Sequence, residues 1–371
     1  MKGQHRWSYR GCACCDGSTL SLSGAKLSRR HFLQGMTGAA ALAAVGLGQP
    51  PGAAAQGAEA AKPFRIDVHH HLSPPTYIAA SSASNFGDPL MKNWTPAKSL
   101  EDMDKAGVAV AMLSVTTPAL NFTSGETARK LARECNDYAA KLIADHPARF
   151  GSFAVVPLTD VEGSLQEIAY ALDTLKADGI GLMTSYGDKW LGDPAFLPVM
   201  EELNRRKAVV YTHPTAANCC VNLVRTQQPV MIEFGTDTTR TIADIIFSGN
   251  AQKFREISWI FSHAGGTMPF LIERFVRNAF LDPKAKATVP DGTLAELRRF
   301  YYDTAQTSNK GSMAALSDII PVSQILFGTD YPYRTSIDHV KGLREAGVFT
   351  DEQLAAIEHG NAQKLLPRLA S

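Results

Sequence analysis

The chain has 371 residues, 45% hydrophobic and 20% charged, with a formal net charge of +1. That is ample apolar material for a large core and fits one large α/β domain. Nothing in the charge balance suggests a nucleic-acid partner.

The first 55 residues stand apart. Ser28-Arg29-Arg30-His31-Phe32-Leu33 is a twin-arginine pattern, followed by an uncharged Gly/Ala-rich stretch from Gly35 to Gly48 and then Ala53-Ala54-Ala55, which suits signal peptidase. Residues 1–55 therefore read as a twin-arginine signal peptide, and 56–371 as a single exported, periplasmic domain. The apolar run is short and glycine-rich for a membrane span, so no stable membrane anchor is expected. Without that segment the chain keeps 31 basic against 35 acidic residues, a formal charge of −4. Cys12, Cys14 and Cys15 lie in the same segment. Cys135, Cys219 and Cys220 remain, an odd count that makes no disulfide framework. They read as small, buried, free thiols, with the adjacent pair close to a pocket.

Apolar strand candidates follow in order: Phe64–Val68, Val108–Val115, Phe150–Val156, Gly179–Met183, Ala208–Thr212, Ser258–Ser262, Phe300–Thr304 and Gln324–Gly328. Helical periodicity fills the intervals, as in Ser124–Ala144, Gly163–Lys176, Pro194–Arg206, Thr236–Phe247 and Pro269–Phe280. Eight strands interleaved with helices predict a (β/α)8 TIM barrel. The rival, a doubly wound open sheet, lacks any glycine-rich nucleotide motif to support it. Asp282–Gly292, with two prolines, reads as a loop.

Functional groups of such barrels collect at the C-terminal ends of strands. Asp67-Val68-His69-His70-His71 ends the first strand, and alternation puts His69 and His71 on one face and His70 on the other. His70 is expected to face the helices and to tolerate replacement. His213 ends the fifth strand, His263 the sixth and Asp330 the eighth. Four of only ten histidines thus occupy such positions. His69, His71 and His213 offer neutral nitrogen and Asp330 a carboxylate. This set suits one Zn²⁺, with Mn²⁺ also plausible. His263 reads as an acid/base group beside the ion.

The segments Asp67-x-His69-x-His71, Met103-Asp104-Lys105-Ala106-Gly107-Val108, His213-Pro214, His263-x-Gly265-Gly266, Gly328-Thr329-Asp330-Tyr331-Pro332 and Gly360-Asn361-Ala362 resemble the amidohydrolase superfamily. More narrowly, they look like its branch of aminocarboxymuconate-semialdehyde decarboxylase and the aromatic-acid decarboxylases. The resemblance covers almost all of residues 64–366. It implies that His69, His71, His213 and Asp330 bind one metal and that His263 is catalytic. A second metal is disfavoured because Gly179–Ser185 holds no lysine to form the carbamate of binuclear relatives. Arg274, eleven residues after His263, matches an arginine that in relatives reaches the neighbouring subunit's site, which implies a homodimer and a substrate-binding role. The semialdehyde decarboxylase's other arginine has no counterpart in Ala97-Lys98-Ser99-Leu100-Glu101, and its tryptophan after His-Pro is Thr215 here. Both departures argue against that substrate.

The expected reaction is non-oxidative decarboxylation of an aromatic or unsaturated carboxylic acid, such as a hydroxybenzoate, with Asp330 or His263 handling the proton. Phe122, Tyr331 and Tyr333 could pack on a ring. The alternative is metal-dependent hydrolysis of a lactone, ester or amide; a binding-only barrel would need the ligands but not His263.

Overall fold

The computed structural model describes residues 64–370, so the twin-arginine segment lies outside the described residues. Among them, no helix is long and apolar enough to cross a membrane. Eight parallel strands form the frame: β1 Arg65–Leu72, β2 Val108–Val115, β3 Phe150–Val155, β4 Gly179–Met183, β5 Val209–His213, β6 Ser258–Phe261, β7 Tyr301–Asp303 and β8 Ile325–Leu326. They pair in chain order. The amide of Val68 donates to the Phe327 carbonyl, that of Asp330 donates to the His69 carbonyl, and His70 bridges Tyr331 in parallel. These bonds join the last strand to the first and close the barrel, with helices in the crossovers as parallel strands require.

Two apolar clusters follow from the pleat. Ile66, Val68, Val110, Met112, Phe153, Tyr211, Ile260 and Leu326 fill the barrel, and Leu366 and Leu369 join them from the C-terminal segment. A larger cluster lies between barrel and helices, including Leu113, Phe150, Ile180, Phe261 and Phe327.

The strand and helix ranges agree with the sequence-based ones to within a few residues, with β8 the shortest at two residues. Asp282–Gly292 is the exception. It contains the helix Pro283–Thr288, with the Asp282 carboxylate accepting from the Lys284 amide. Proline here starts a helix instead of ending one, because its missing N–H is unneeded at the first helical position.

Candidate metal centre

β1 carries a local irregularity that decides the site. Pairing with β2 slips between Asp67, opposite Ala111, and His70, opposite Leu113. Three residues of β1 thus span two of β2, a bulge. Ile66 and Val68 point into the barrel. Strict alternation would then send His69 and His71 outwards. The bulge flips the parity, so Asp67 and His70 face the helices while His69 and His71 face the axis.

There they meet the ends of β5 and β8. One ligand atom each from His69, His71, His213 and Asp330 lies within 4.8 Å of all the others, and all four residues are buried. His69 Nε2 stands 3.3 Å from His71 Nε2 and 3.1 Å from Asp330 Oδ1, while His71 Nε2 stands 2.9 Å from that oxygen. A tetrahedron with metal–nitrogen bonds of about 2.0–2.1 Å has edges of roughly 3.3 Å. The donor set and spacing therefore fit one divalent ion.

Electrostatics agree. Burial depresses His71 and His213 below the ordinary imidazole range, in His213 reinforced by the two neighbouring imidazoles, so both are neutral donors. For His69 burial acts the same way, but the carboxylates of Asp303 and Asp330 outweigh it and push it up to about 10. Asp330 resists the upward pull of burial and is held well below the usual carboxylate range by His69 and His263. The pocket is built around a positive charge, which a proton on His69 supplies when no metal does.

The outer contacts orient these ligands, as they do in metal sites generally. Asp303, at the end of β7, accepts from His69 Nδ1 at 2.8 Å, which turns Nε2 towards the other ligands. Its second oxygen accepts from the amides of His263 and Ala305 at 2.9 and 3.0 Å. His213 Nδ1 lies 2.9 Å from the Pro214 carbonyl. Asp67 accepts from the Thr329 amide and hydroxyl at 3.0 and 2.6 Å, tying β1 to the segment that carries Asp330.

His263 stands at the rim, its Nε2 3.4 Å from Asp330 Oδ2. Gln306 Nε2 donates to the same oxygen at 3.0 Å. His263 and Asp330 both adopt left-handed backbone conformations, φ 54° and 69°. Such conformations in non-glycine residues cluster where function holds them. Gly266 follows at φ 67°, and a Cβ there would collide with the Gly235 carbonyl oxygen.

Beside His213 opens a cavity of about 640 Å³, walled by Leu120, Tyr186, Thr215, Val230 and Phe234 among others. The Phe234 ring lies 6.2 Å from that of His213. No described lining residue is charged. The segment after His213 contributes Ala216, Asn218, Val221 and Gln228 to it.

Several expectations change. His70 does face the helices, but it is not free: Nδ1 lies 3.0 Å from Asp67 and Nε2 2.5 Å from Ser99, and Tyr331 stacks on its ring. A buried side chain with both nitrogens bonded does not tolerate replacement freely. Tyr331 thereby serves β1 packing and not the axis. Phe122 packs on Tyr77 and Phe86, whereas Tyr333 meets His71 edge-on at 5.6 Å. Cys219 and Cys220 are not free thiols: they are joined to each other as a vicinal disulfide, Cys219 exposed and Cys220 buried. Cys135 is a buried free cysteine. Arg274 is exposed on the helix Ile272–Leu281, with no ion pair among the described residues. Asp303 and Gln306 went unrecognised in the sequence, although Asp303 meets the same strand-end criterion as the ligands.

Residues 66–368 match the amidohydrolase family. Among curated proteins, decarboxylase yanB of Aspergillus niger is 38% identical over 324 residues, covering 82% of this chain and 88% of its own. The 6-methylsalicylic acid decarboxylase acuB of Aspergillus aculeatus is 36% identical over 324 residues, covering 82% and 97%. Among solved structures, a dihydroxybenzoic acid decarboxylase from Polaromonas sp. JS666, with bound manganese and 2-nitroresorcinol, shares the fold at a TM-score of 0.72 and 22% identity, covering 82% of this chain and 97% of its own.

Proposed function

Because this chain belongs to the amidohydrolase family, and its similar curated relatives are decarboxylases, we infer that it is a metal-dependent, non-oxidative decarboxylase of an aromatic carboxylic acid. The observation that carries the reading is the division of work within Asp330. Its Oδ1 sits among the ligand nitrogens, whereas its Oδ2 faces His263 and Gln306. One oxygen would hold the metal; the other serves the proton that the reaction needs.

Decarboxylation replaces the ring carbon's carboxylate by a proton and releases CO₂, the C–C bond's electron pair staying on the ring carbon to form the C–H bond, so no external oxidant or reductant is needed. A divalent ion held by His69, His71, His213 and Asp330 would orient the carboxylate and offset its charge. His263 holds a proton at Nε2 with Asp330 Oδ2 as its partner and passes it to the carbon that loses CO₂. Gln306 keeps that oxygen in place, and Asp303 anchors the His263 amide. The ring lies in the neutral cavity against Leu120, Val230 and Phe234. With no charged lining residue, and with no arginine at 97–101, the cavity suits a substrate whose only carboxylate is at the metal.

We assign Zn²⁺ on the nitrogen-rich donor set; manganese, which the Polaromonas enzyme binds, is the alternative. We further propose a homodimer. Arg274 lies on the helix Ile272–Leu281, which ends in Phe280 and Leu281 and follows Phe270; these three are 84%, 62% and 79% exposed. A second copy would cover this patch and receive Arg274 at its substrate site. Export by the twin-arginine route rests on residues 28–55, and N-terminal sequencing of the periplasmic protein tests it. The test of function is a CO₂-release screen over hydroxybenzoates, 6-methylsalicylate included, with metal-loaded protein. Metal-dependent CO₂ evolution that Asp330→Asn abolishes is the expected result.

A further inference from the structure

Two buried hydroxyls follow directly on the paired ends of β1 and β2, just after His71 in the chain. Ser73 and Thr116 are 2% and 1% exposed; the Ser73 oxygen makes no hydrogen bond, and the one group that acts on the Thr116 oxygen is the Tyr333 phenol. Buried hydroxyls are ordinarily satisfied, because an unpartnered one costs about 1–3 kcal/mol. Register explains how the two meet. β1 and β2 place His71 beside Ser114 and Leu72 beside Val115. One residue further on, Ser73 comes beside Thr116, just past the His71 imidazole.

Both line one cavity of about 10 Å³, room for a single oxygen-sized group. Phe86 and Thr117 belong to its wall and also to that of the 640 Å³ cavity, so the two spaces adjoin. Tyr333, edge-on to His71, turns its phenol to the Thr116 hydroxyl and to Asp88 as hydrogen-bonding neighbours. Asp88 and Lys92 on the outer wall oppose each other in charge, which suits a neutral occupant.

We propose that Ser73 and Thr116 form a subsite for one hydroxyl on the substrate ring, separate from the groups held at the metal. The proposal rests on the aromatic-acid reading above. Each side-chain hydroxyl can donate or accept, so a ring hydroxyl gives its proton to one and takes a proton from the other. A methyl group of similar size would leave the Ser73 hydroxyl unsatisfied. Sites built to bond a hydroxyl reject analogues that lack it far more strongly than apolar pockets reject an extra one.

Nitro analogues of hydroxybenzoates test this without turnover, since they have no CO₂ to lose. Metal-loaded protein is titrated by calorimetry with 2-nitrophenols bearing one hydroxyl, or one methyl, at each remaining ring position. At one position the hydroxyl compound should bind at least about tenfold tighter than its methyl counterpart. In Ser73→Ala/Thr116→Val that preference should fall below about threefold, with 2-nitrophenol itself bound as before. Thr116→Val alone, nearly isosteric, serves if the double variant does not fold, and should also shrink the preference. Three results would overturn the proposal: no hydroxyl preference at any position, a preference that survives in the variants, or no nitrophenol binding at all. CO₂ release by the same wild-type preparation reports separately on the decarboxylase reading, so the two can fail independently.

Discussion

Replacing Asp303 by asparagine tests how the centre holds its first histidine. The Asp303 carboxylate accepts from His69 Nδ1 at 2.8 Å with one oxygen and from two backbone amides, at 2.9 and 3.0 Å, with the other. In Asp303→Asn the amide oxygen keeps the backbone donors, and the NH₂ group is left facing His69. Nδ1 must then accept, so the ring proton moves to Nε2, the nitrogen 3.1 Å from Asp330 Oδ1. A protonated Nε2 has no lone pair for a metal. Loss of such an orienting partner typically costs about 10–100-fold in metal affinity. The wrong tautomer places this variant at the upper end, about 100-fold or ~2.7 kcal/mol. Competition with a chelator of known affinity measures it. An affinity within threefold of wild type would refute the role given to Asp303.

Other expectations follow from the same geometry. In the metal-free protein the His69 pKa is raised from 6.5 to about 10, so its protonation stabilises that form fully below the ordinary imidazole range and is lost as pH rises through about 10. Within that window metal must displace the proton, and binding should release about one proton per site. Calorimetry in buffers of different ionisation enthalpy reads this, and binding without release would contradict it. His70→Gln should lower stability by about 1–3 kcal/mol through its Asp67 and Ser99 bonds. It should nonetheless keep its metal, whereas His71→Gln should lose it; equal loss in metal analysis would place the bulge wrongly. Gly266→Ala forces a Cβ against the Gly235 carbonyl at a left-handed φ. A loss of about 1–3 kcal/mol is expected in thermal melts, with a fall in kcat as His263 shifts; unchanged melting would show that the turn can relax.

Much of this architecture was legible in the sequence because strand ends and functional groups coincide. His213 and Asp330 could be placed from the strand candidates before them, as barrel geometry puts working residues at those ends. His69 and His71 were assigned to one face correctly, but alternation alone does not turn that face inwards. Ile66 and Val68 already occupy the interior, and the slip in pairing between Asp67 and His70 that reverses the parity is a property of two strands together. Asp303 was hidden for a different reason. A lone carboxylate after Tyr301-Tyr302 has no motif, and its meaning comes from the His69 ring 234 residues away. The buried state of His70 was equally invisible, since Ser99 reaches it from the helix Pro96–Ala106. The vicinal bond of Cys219 and Cys220 depends on the conformation of a loop that carries no periodic pattern.

Metal-dependent CO₂ loss from an aromatic acid is open to direct test. The most direct measurement is a mass balance on metal-loaded protein turning over a hydroxybenzoate such as 6-methylsalicylate in deuterated water. The expected result is one CO₂ per phenol formed, one deuterium at the carbon that carried the carboxylate, loss of both on chelation, and recovery on adding Zn²⁺ or Mn²⁺. Failure to release CO₂ from any aromatic acid, together with metal-dependent opening of a lactone or ester, would contradict it.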